Sequence, residues 1–255
     1  MEHRGTLKGF AVIIPMYNEE TGAQDCVRKV CGVLKDIPLR NALIVVNDGS
    51  KDATGEILKK IKPEFPSFVI LEHLQNKGYG AALQTGSAYA IQENFEYVLF
   101  MDSDLTNDPK DISKFVEKMN DGYDVIKATR YSHGGGVDGV PIRRVFISRC
   151  GNSITKFLMN LPITDYTNGY RAVKTELLKK ITLKENNFSI IMEELYYLKQ
   201  LTSSFCNVPV ILKDRTCTQR PTSFTYKPSI FWRYIKYPLR SFLENFSKKN
   251  TNIHL

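Results

Sequence analysis

Five strand candidates separated by helix-like stretches constrain this chain more than any other feature. They are Phe10–Ile14, Leu43–Val46, Phe68–Leu71, Tyr97–Met101 and Asp124–Ala128. Helices are predicted between them at Glu20–Lys35, Asp52–Lys60, Gly80–Gln92 and Pro109–Met119. Short apolar runs bounded by polar signals read as buried strands, and continuous runs need cover on both faces. A β-α-β-α order supplies that cover. It predicts an α/β fold with a Rossmann-like, mostly parallel sheet flanked by helices.

After about residue 130 the rhythm changes. Ser132–Gly139 is a glycine-rich loop, followed by a long helix at roughly Arg143–Leu158 and a turn at Leu161–Asn168. A short strand is predicted near Tyr170–Val173, then helical pieces through Leu201 and a strand near Asn207–Leu212. The C-terminal stretch Ser229–Phe246 is aromatic-rich and reads as interrupted by Pro238. No linker separates two independent domains, and 255 residues suffice for one large core.

The N-terminus lacks the apolar segment of a secretory signal, and no window is apolar enough to span a membrane. The five cysteines are odd in number and lack CxxC spacing, so buried free thiols in a reducing compartment are expected. The four histidines lack ligand spacing and read as incidental. Net charge is +8, and Phe205–Leu255 holds nine Lys/Arg against two acids, so +7 sits in the last fifth. Such asymmetry points to a localised anionic partner or to a solvated basic tail.

Ligands of open α/β sheets bind beyond the carboxyl ends of the strands. Here those ends carry Tyr17 and Glu19 after the first strand, Asp48 after the second, and Lys77 in Asn76-Lys-Gly-Tyr-Gly80 after the third. The fourth ends in Asp102-Ser-Asp104. Each signal alone suits an ordinary polar turn. Together on one sheet edge they favour a nucleotide–metal site, because paired carboxylates with phosphate oxygens suit a hard cation.

The ordered series Val12-Ile-Ile-Pro-Met-Tyr-Asn-Glu-Glu20, Val45-Val-Asn-Asp-Gly-Ser-Lys-Asp-Ala-Thr54, Asn76–Ala82 and Met101-Asp-Ser-Asp-Leu105 resembles the inverting nucleotide-sugar glycosyltransferases of family 2, with the GT-A fold. Ala128-Thr-Arg-Tyr131, the glycine loop, Arg144-x3-Ser148 and Asp165-x3-Gly-Tyr-Arg171 are similar to its polyprenyl-phosphate sugar synthase branch, exemplified by dolichol-phosphate mannose synthases. The resemblance implies a glycosyltransferase domain over residues 1–222, with a nucleotide-sugar half at about 8–130 and an acceptor half at 131–222. Residues 223–255 would be a basic, aromatic, helical C-terminal extension.

By that resemblance Pro15, Tyr17, Glu19, Val46, Asp48, Lys77 and Asp102 bind the donor, and Asp102 and Asp104 flank Mg²⁺ or Mn²⁺. Arg130, Arg144, Ser148 and Arg215 meet the acceptor phosphate. Asp104, Arg130 and Arg144 carry the catalytic expectation. The implied reaction moves a hexose from GDP-mannose or UDP-glucose to a polyprenyl phosphate, with inversion. Three positions depart from the family pattern: Asn47 where Asp is frequent, Thr106 where a Gln ligand is common, and the absence of Gly-x-Ser-Lys after Arg215.

A phosphate acceptor is already anionic, so no protein base is required. A saccharide hydroxyl would need one, with Glu193 and Glu194 as candidates that otherwise read as a solvated helix turn. A catalytically idle nucleotide-sugar-binding subunit is the reading of another class. Around Trp232, Arg233, Lys236 and Arg240 recur at i, i+3 and i+7. That segment suits either a membrane interface or packing on the domain. The expected location is the cytoplasmic face of a membrane, peripherally bound, with a membrane-spanning partner protein possible and no nucleic acid.

Overall fold

The computed structural model describes residues 7–213 and 228–251. In order, the first half gives β1 (Phe10–Met16), α1 (Ala23–Lys35), β2 (Asn41–Asn47), α2 (Thr54–Ile61), β3 (Phe68–Glu72), α3 (Tyr79–Gln92), β4 (Tyr97–Phe100), α4 (Ile112–Asn120) and β5 (Val125–Thr129). The second half adds β6 (Gly136–Asp138), α5 (Ile142–Met159), β7 (Arg171–Lys174), α6 (Thr175–Leu178), α7 (Ile190–Leu201), β8 (Phe205–Pro209), β9 (Ile211–Lys213) and α8 (Pro228–Thr251).

Seven strands form one sheet in the order β3-β2-β1-β4-β7-β5-β8. Only β7 runs antiparallel to its neighbours, β4 and β5. Side chains of β1 alternate between two cores. Phe10, Val12 and Ile14 join a cluster containing α1 and α4 residues, whereas Ala11 and Ile13 face α3 and α7. That double burial explains the uninterrupted apolar run. On α1 the buried set Ala23, Cys26, Val27, Val30, Cys31 and Leu34 follows helical spacing. On α3, Gly86 lets the helix approach β1, since a Cβ there would lie 2.5 Å from Ile13 Cγ2.

Three expectations change in detail. The strand foreseen near Asn207–Leu212 is two pieces, because β8 stays in the main sheet while β9 pairs with β6 from the glycine loop. Helix α8 continues through Pro238. Proline costs the bond to the Tyr234 carbonyl, yet α8 packs on α5 and α7 on both sides of it, and tertiary contact outweighs the break. Cys26 and Cys31 are buried free thiols, but Cys150 lies on an exposed face of α5. Cys217 and the Cys217–Ser223 stretch lie outside the described residues.

Candidate active site

Strand order reverses between β1 and β4, since β2 and β3 continue on one side of β1 and β4 lies on the other. This is the topological switch point where open α/β sheets bind ligands. Its walls come from the loops after β1, β2, β3 and β4, which bring Tyr17, Glu19, Asp48, Lys77, Asp102 and Asp104 to one sheet edge.

The first two loops are laced together. Asn18 N–H donates to Ser50 Oγ (2.9 Å), Lys51 N–H to Asn18 Oδ1 (2.7 Å), and Glu19 N–H to Thr54 Oγ1 (2.7 Å). Asn18 takes a left-handed φ of 53°, a conformation asparagine tolerates. Tyr17 is exposed, Pro15 and Glu19 are half-buried, and Val46 is buried. Asn47 is buried as well, and its Oδ1 accepts from Ser50 N–H (3.2 Å), so the amide closes the turn.

Asp48 is buried and holds the third loop. Its carboxylate accepts from Lys77 N–H (2.9 Å), Gly78 N–H (2.8 Å) and His73 Nδ1 (2.6 Å). His73 is therefore a structural anchor, bonded through Nε2 to Thr85 Oγ1 (2.9 Å), and the reading of it as incidental is corrected. These bonds shape the turn opening α3, which leaves the Lys77 side chain exposed.

Beyond β4, Asp102 and Asp104 are half-buried. Asp102 Oδ1 accepts from Tyr79 Oη (3.1 Å), whose ring stacks on Phe188. Burial, with Asp102 beside it, pushes the Tyr79 phenol far above its ordinary range, so it stays a donor. Gly169 lies against the carboxylate: a Cβ there would be 3.1 and 3.4 Å from the two Asp102 oxygens. Asp104 Oδ1 accepts from Thr106 N–H (3.1 Å) and Thr106 Oγ1 (2.8 Å). Thr106 thus braces Asp104. Between them Leu105 sits at φ 55°, a strained backbone of the kind that collects at functional sites. Two half-buried carboxylates one residue apart at the switch point are a donor set that, completed by phosphate oxygens, fits a divalent cation such as Mg²⁺ or Mn²⁺.

The acceptor-side candidates separate. Arg130 is forked onto buried Asp165 (Nε to Oδ2 2.6 Å, Nη2 to Oδ1 2.9 Å) and also reaches Thr167 Oγ1 (2.9 Å). It ties the end of β5 to the turn before β7. Ser148 accepts from Tyr131 Oη (2.8 Å), and the guanidinium groups of Arg130 and Arg149 lie 5.0 and 5.7 Å from the centre of the Tyr131 ring. Arg144, one helical turn before Ser148, is exposed. Arg215 lies outside the described residues.

Glu193 and Glu194 are fully buried, which corrects the expectation of a solvated turn. Glu194 takes both Arg171 forks at 2.6 and 2.8 Å. Glu193 accepts from Lys184 N–H (2.9 Å), Glu185 N–H (2.8 Å) and the Tyr237 phenol of α8 (2.9 Å). Sequence reasoning assigned no role to Tyr79, Gly169, Arg171 or Lys127. For Lys127 a signal existed, a cation at an inward position in Val125-Ile-Lys-Ala-Thr129. Its Nζ donates to Asn168 O (2.5 Å), inside the sheet.

Burial, helped by Arg171, pushes Lys127 down to about 7. Between that value and the ordinary 10.5 the unfolded chain holds a proton the folded chain has released. Stability from this group therefore rises with pH above 7, by at most about 1.4 kcal/mol per unit. Denaturant melts from pH 7 to 9 should show that rise in wild type and a flatter profile in Lys127→Met; equal slopes would contradict it.

The family described as Glycosyl transferase family 2 matches residues 11–182, two thirds of the sequence and every strand of the crevice. The chain belongs to glycosyl transferase family 2. Among curated relatives of this family 2 chain, polyprenol monophosphomannose synthase of Mycolicibacterium smegmatis is 33% identical over 173 residues, covering 68% of the chain and 64% of the relative. The match thus spans slightly under two thirds of that relative's length. Undecaprenyl-phosphate mannosyltransferase of Micrococcus luteus is 26% identical over 206 residues, covering 80% and 83%. A solved glucosyl-3-phosphoglycerate synthase from Mycobacterium tuberculosis, in complex with Mn²⁺, UDP-glucose and phosphoglyceric acid, superposes with a TM-score of 0.67 at 18% identity. The superposition covers 91% of this chain and 80% of that one. At that identity the likeness establishes the fold, and the family 2 domain here is GT-A.

Proposed function

We propose that this chain moves a hexose from a nucleotide sugar to a polyprenyl phosphate at a membrane surface, inverting the anomeric carbon. The observation that carries this reading is the exposed half of α5. Its first turn holds Arg143 and Arg144 and no acid, at the positive end of the helix dipole. Cations there oppose helix formation but favour an anion. Beside them Ile142, Phe146 and Ile147 are exposed, Phe157 is exposed near the far end of α5, and α8, which packs on α5, adds exposed Trp232 and Leu243 with Arg233 and Arg240. A basic, apolar surface of this kind suits lipid headgroups and a prenyl chain. No helix among the described residues is long and apolar enough to cross a membrane. Peripheral attachment at the cytoplasmic face follows from this proposal, whether or not a membrane-spanning partner assists.

Tyr17, Glu19 and the Lys77 loop would hold the nucleotide, with Asp48 acting through that loop. Asp102 and Asp104 would hold Mg²⁺ or Mn²⁺. The bound cation would act as a Lewis acid toward the departing diphosphate. Arg144, Ser148 and Arg215 would steer the acceptor phosphate, with Arg130 fixing the wall behind them. A phosphate oxygen forms the new bond to the anomeric carbon as the bond to the diphosphate oxygen breaks on the opposite side. No proton has to leave the acceptor. The commitment of Glu193 and Glu194 to buried partners supports that route over transfer to a saccharide hydroxyl, which needs a base.

The relatives' names favour GDP-mannose as the first donor to test, before UDP-glucose. With Mg²⁺ or Mn²⁺, label from the donor should enter the lipid phase only when polyprenyl phosphate is present. Arg144→Ala should raise KM for polyprenyl phosphate about tenfold, the loss of one charged hydrogen bond, with donor KM unchanged. Label passing to oligosaccharides but not lipid would overturn the reading.

A further inference from the structure

We propose that the buried Arg171–Glu194 pair is a positioning device for the Asp102 carboxylate and thereby sets the affinity of the site for a divalent cation. This rests on the functional reading above, in which Asp102 serves the metal and diphosphate. Arg171 stands on β7 directly opposite Phe100 of β4, two residues before Asp102. Its guanidinium lies 4.3 Å from the centre of the Phe100 ring. Two of its nitrogens are taken by Glu194 at 2.6 and 2.8 Å, and the third, Nη1, donates to the Gly169 carbonyl at 2.9 Å. All three nitrogens are therefore committed.

Gly169 is the residue against which Asp102 rests, where even a methyl group would come within 3.1 Å of the carboxylate and 3.0 Å of Tyr79 Oη. The path is continuous. Glu194 orients Arg171, Arg171 fixes the Gly169 backbone and the Phe100 ring, and these set where Asp102 stands relative to Asp104. Burial works against the guanidinium charge, but the Glu194 carboxylate, with Asp102 beyond it, holds its proton more tightly than usual. Arg171 is thus a permanent positive charge facing Asp102. Stability alone is a poor reason for this pair, because desolvating two ions offsets their attraction. A planar fork that fixes a position is a better one. Groups behind metal ligands commonly tune affinity in this way.

The test is Mn²⁺ binding in the presence of GDP or UDP, followed by the electron paramagnetic resonance of free Mn²⁺. The proteins are wild type, Arg171→Met/Glu194→Met and Gly169→Ala. The double variant removes both charges together, so no ion is stranded, and its thermal melt reports whether it folds. Both variants are expected to bind Mn²⁺ about 10- to 100-fold more weakly, while nucleotide binding without metal stays unchanged. In turnover the KM for Mn²⁺ should rise and kcat at saturating Mn²⁺ should largely recover. A merely structural role would not produce that split.

Unchanged Mn²⁺ affinity in the folded double variant overturns the proposal. Should that variant fail to fold, unchanged affinity in Gly169→Ala overturns it instead. Wild type that fails to take up Mn²⁺ with either nucleotide would overturn the functional reading itself, a separate result.

Discussion

Asp104→Ala should lower kcat/KM for sugar transfer by about a thousandfold or more, with its melting transition little changed. A cation at a departing diphosphate supplies several kcal/mol, and each 1.36 kcal/mol is about tenfold in rate, so losing its anchor removes about 4 kcal/mol. The fold should tolerate the change. Asp104 is half-buried beyond the last residue of β4, and its bonds to Thr106 close a local turn around Leu105, whose side chain is held by its own packing in the core. Asp104→Asn separates charge from shape, because its amide oxygen can still accept from Thr106. It should fall nearly as far if charge toward a cation is what matters. Label transfer measured across a Mg²⁺ titration checks both variants. Substantial turnover in Asp104→Ala at saturating Mg²⁺ would remove Asp104 from the mechanism. A wild type inactive with every donor would favour the idle nucleotide-sugar-binding subunit.

The sheet was legible because its strands are buried on both faces and therefore read as apolar runs without alternation. Strand ends were legible because polar residues interrupt those runs where the crevice opens. Connections made by the fold itself were not. Nothing in Asn76-Lys-Gly-Tyr-Gly80 says that its turn hangs on Asp48, or that Tyr79 reaches Asp102, since both contacts link segments more than twenty residues apart. Spacing could not separate a solvated Glu193–Glu194 turn from a buried one, because their partners Arg171, Lys184, Glu185 and Tyr237 come from three other segments. The same limit applied to Arg130. Its sequence context suggests a phosphate ligand, while Asp165, thirty-five residues on, occupies its fork. Helix α5 carries Arg143, Arg144, Arg149 and Lys156, yet its first half also exposes Ile142, Phe146 and Ile147, which only the packing of the second half reveals.

Glu194→Ala should be the most destabilising single change among the residues near the site. It would strand the Arg171 guanidinium, wholly buried, with the Gly169 carbonyl as its remaining hydrogen-bond partner. Breaking a buried ion pair from one side costs about 3–5 kcal/mol, a large part of a typical total of about 5–15 kcal/mol. For a chain of this size that lowers the melting temperature by on the order of 10 °C. Arg171→Met/Glu194→Met should recover most of the loss, because two apolar side chains of similar volume leave no unpaired charge. Calorimetric melts of the two single variants and the double form a thermodynamic cycle that isolates the coupling. The same melts decide whether Glu194 is a general base. A base could be removed with loss of turnover and an unchanged transition, whereas a clamp fails in stability first. A transition in Glu194→Ala indistinguishable from wild type would therefore contradict the clamp and return the residue to the list of proton acceptors.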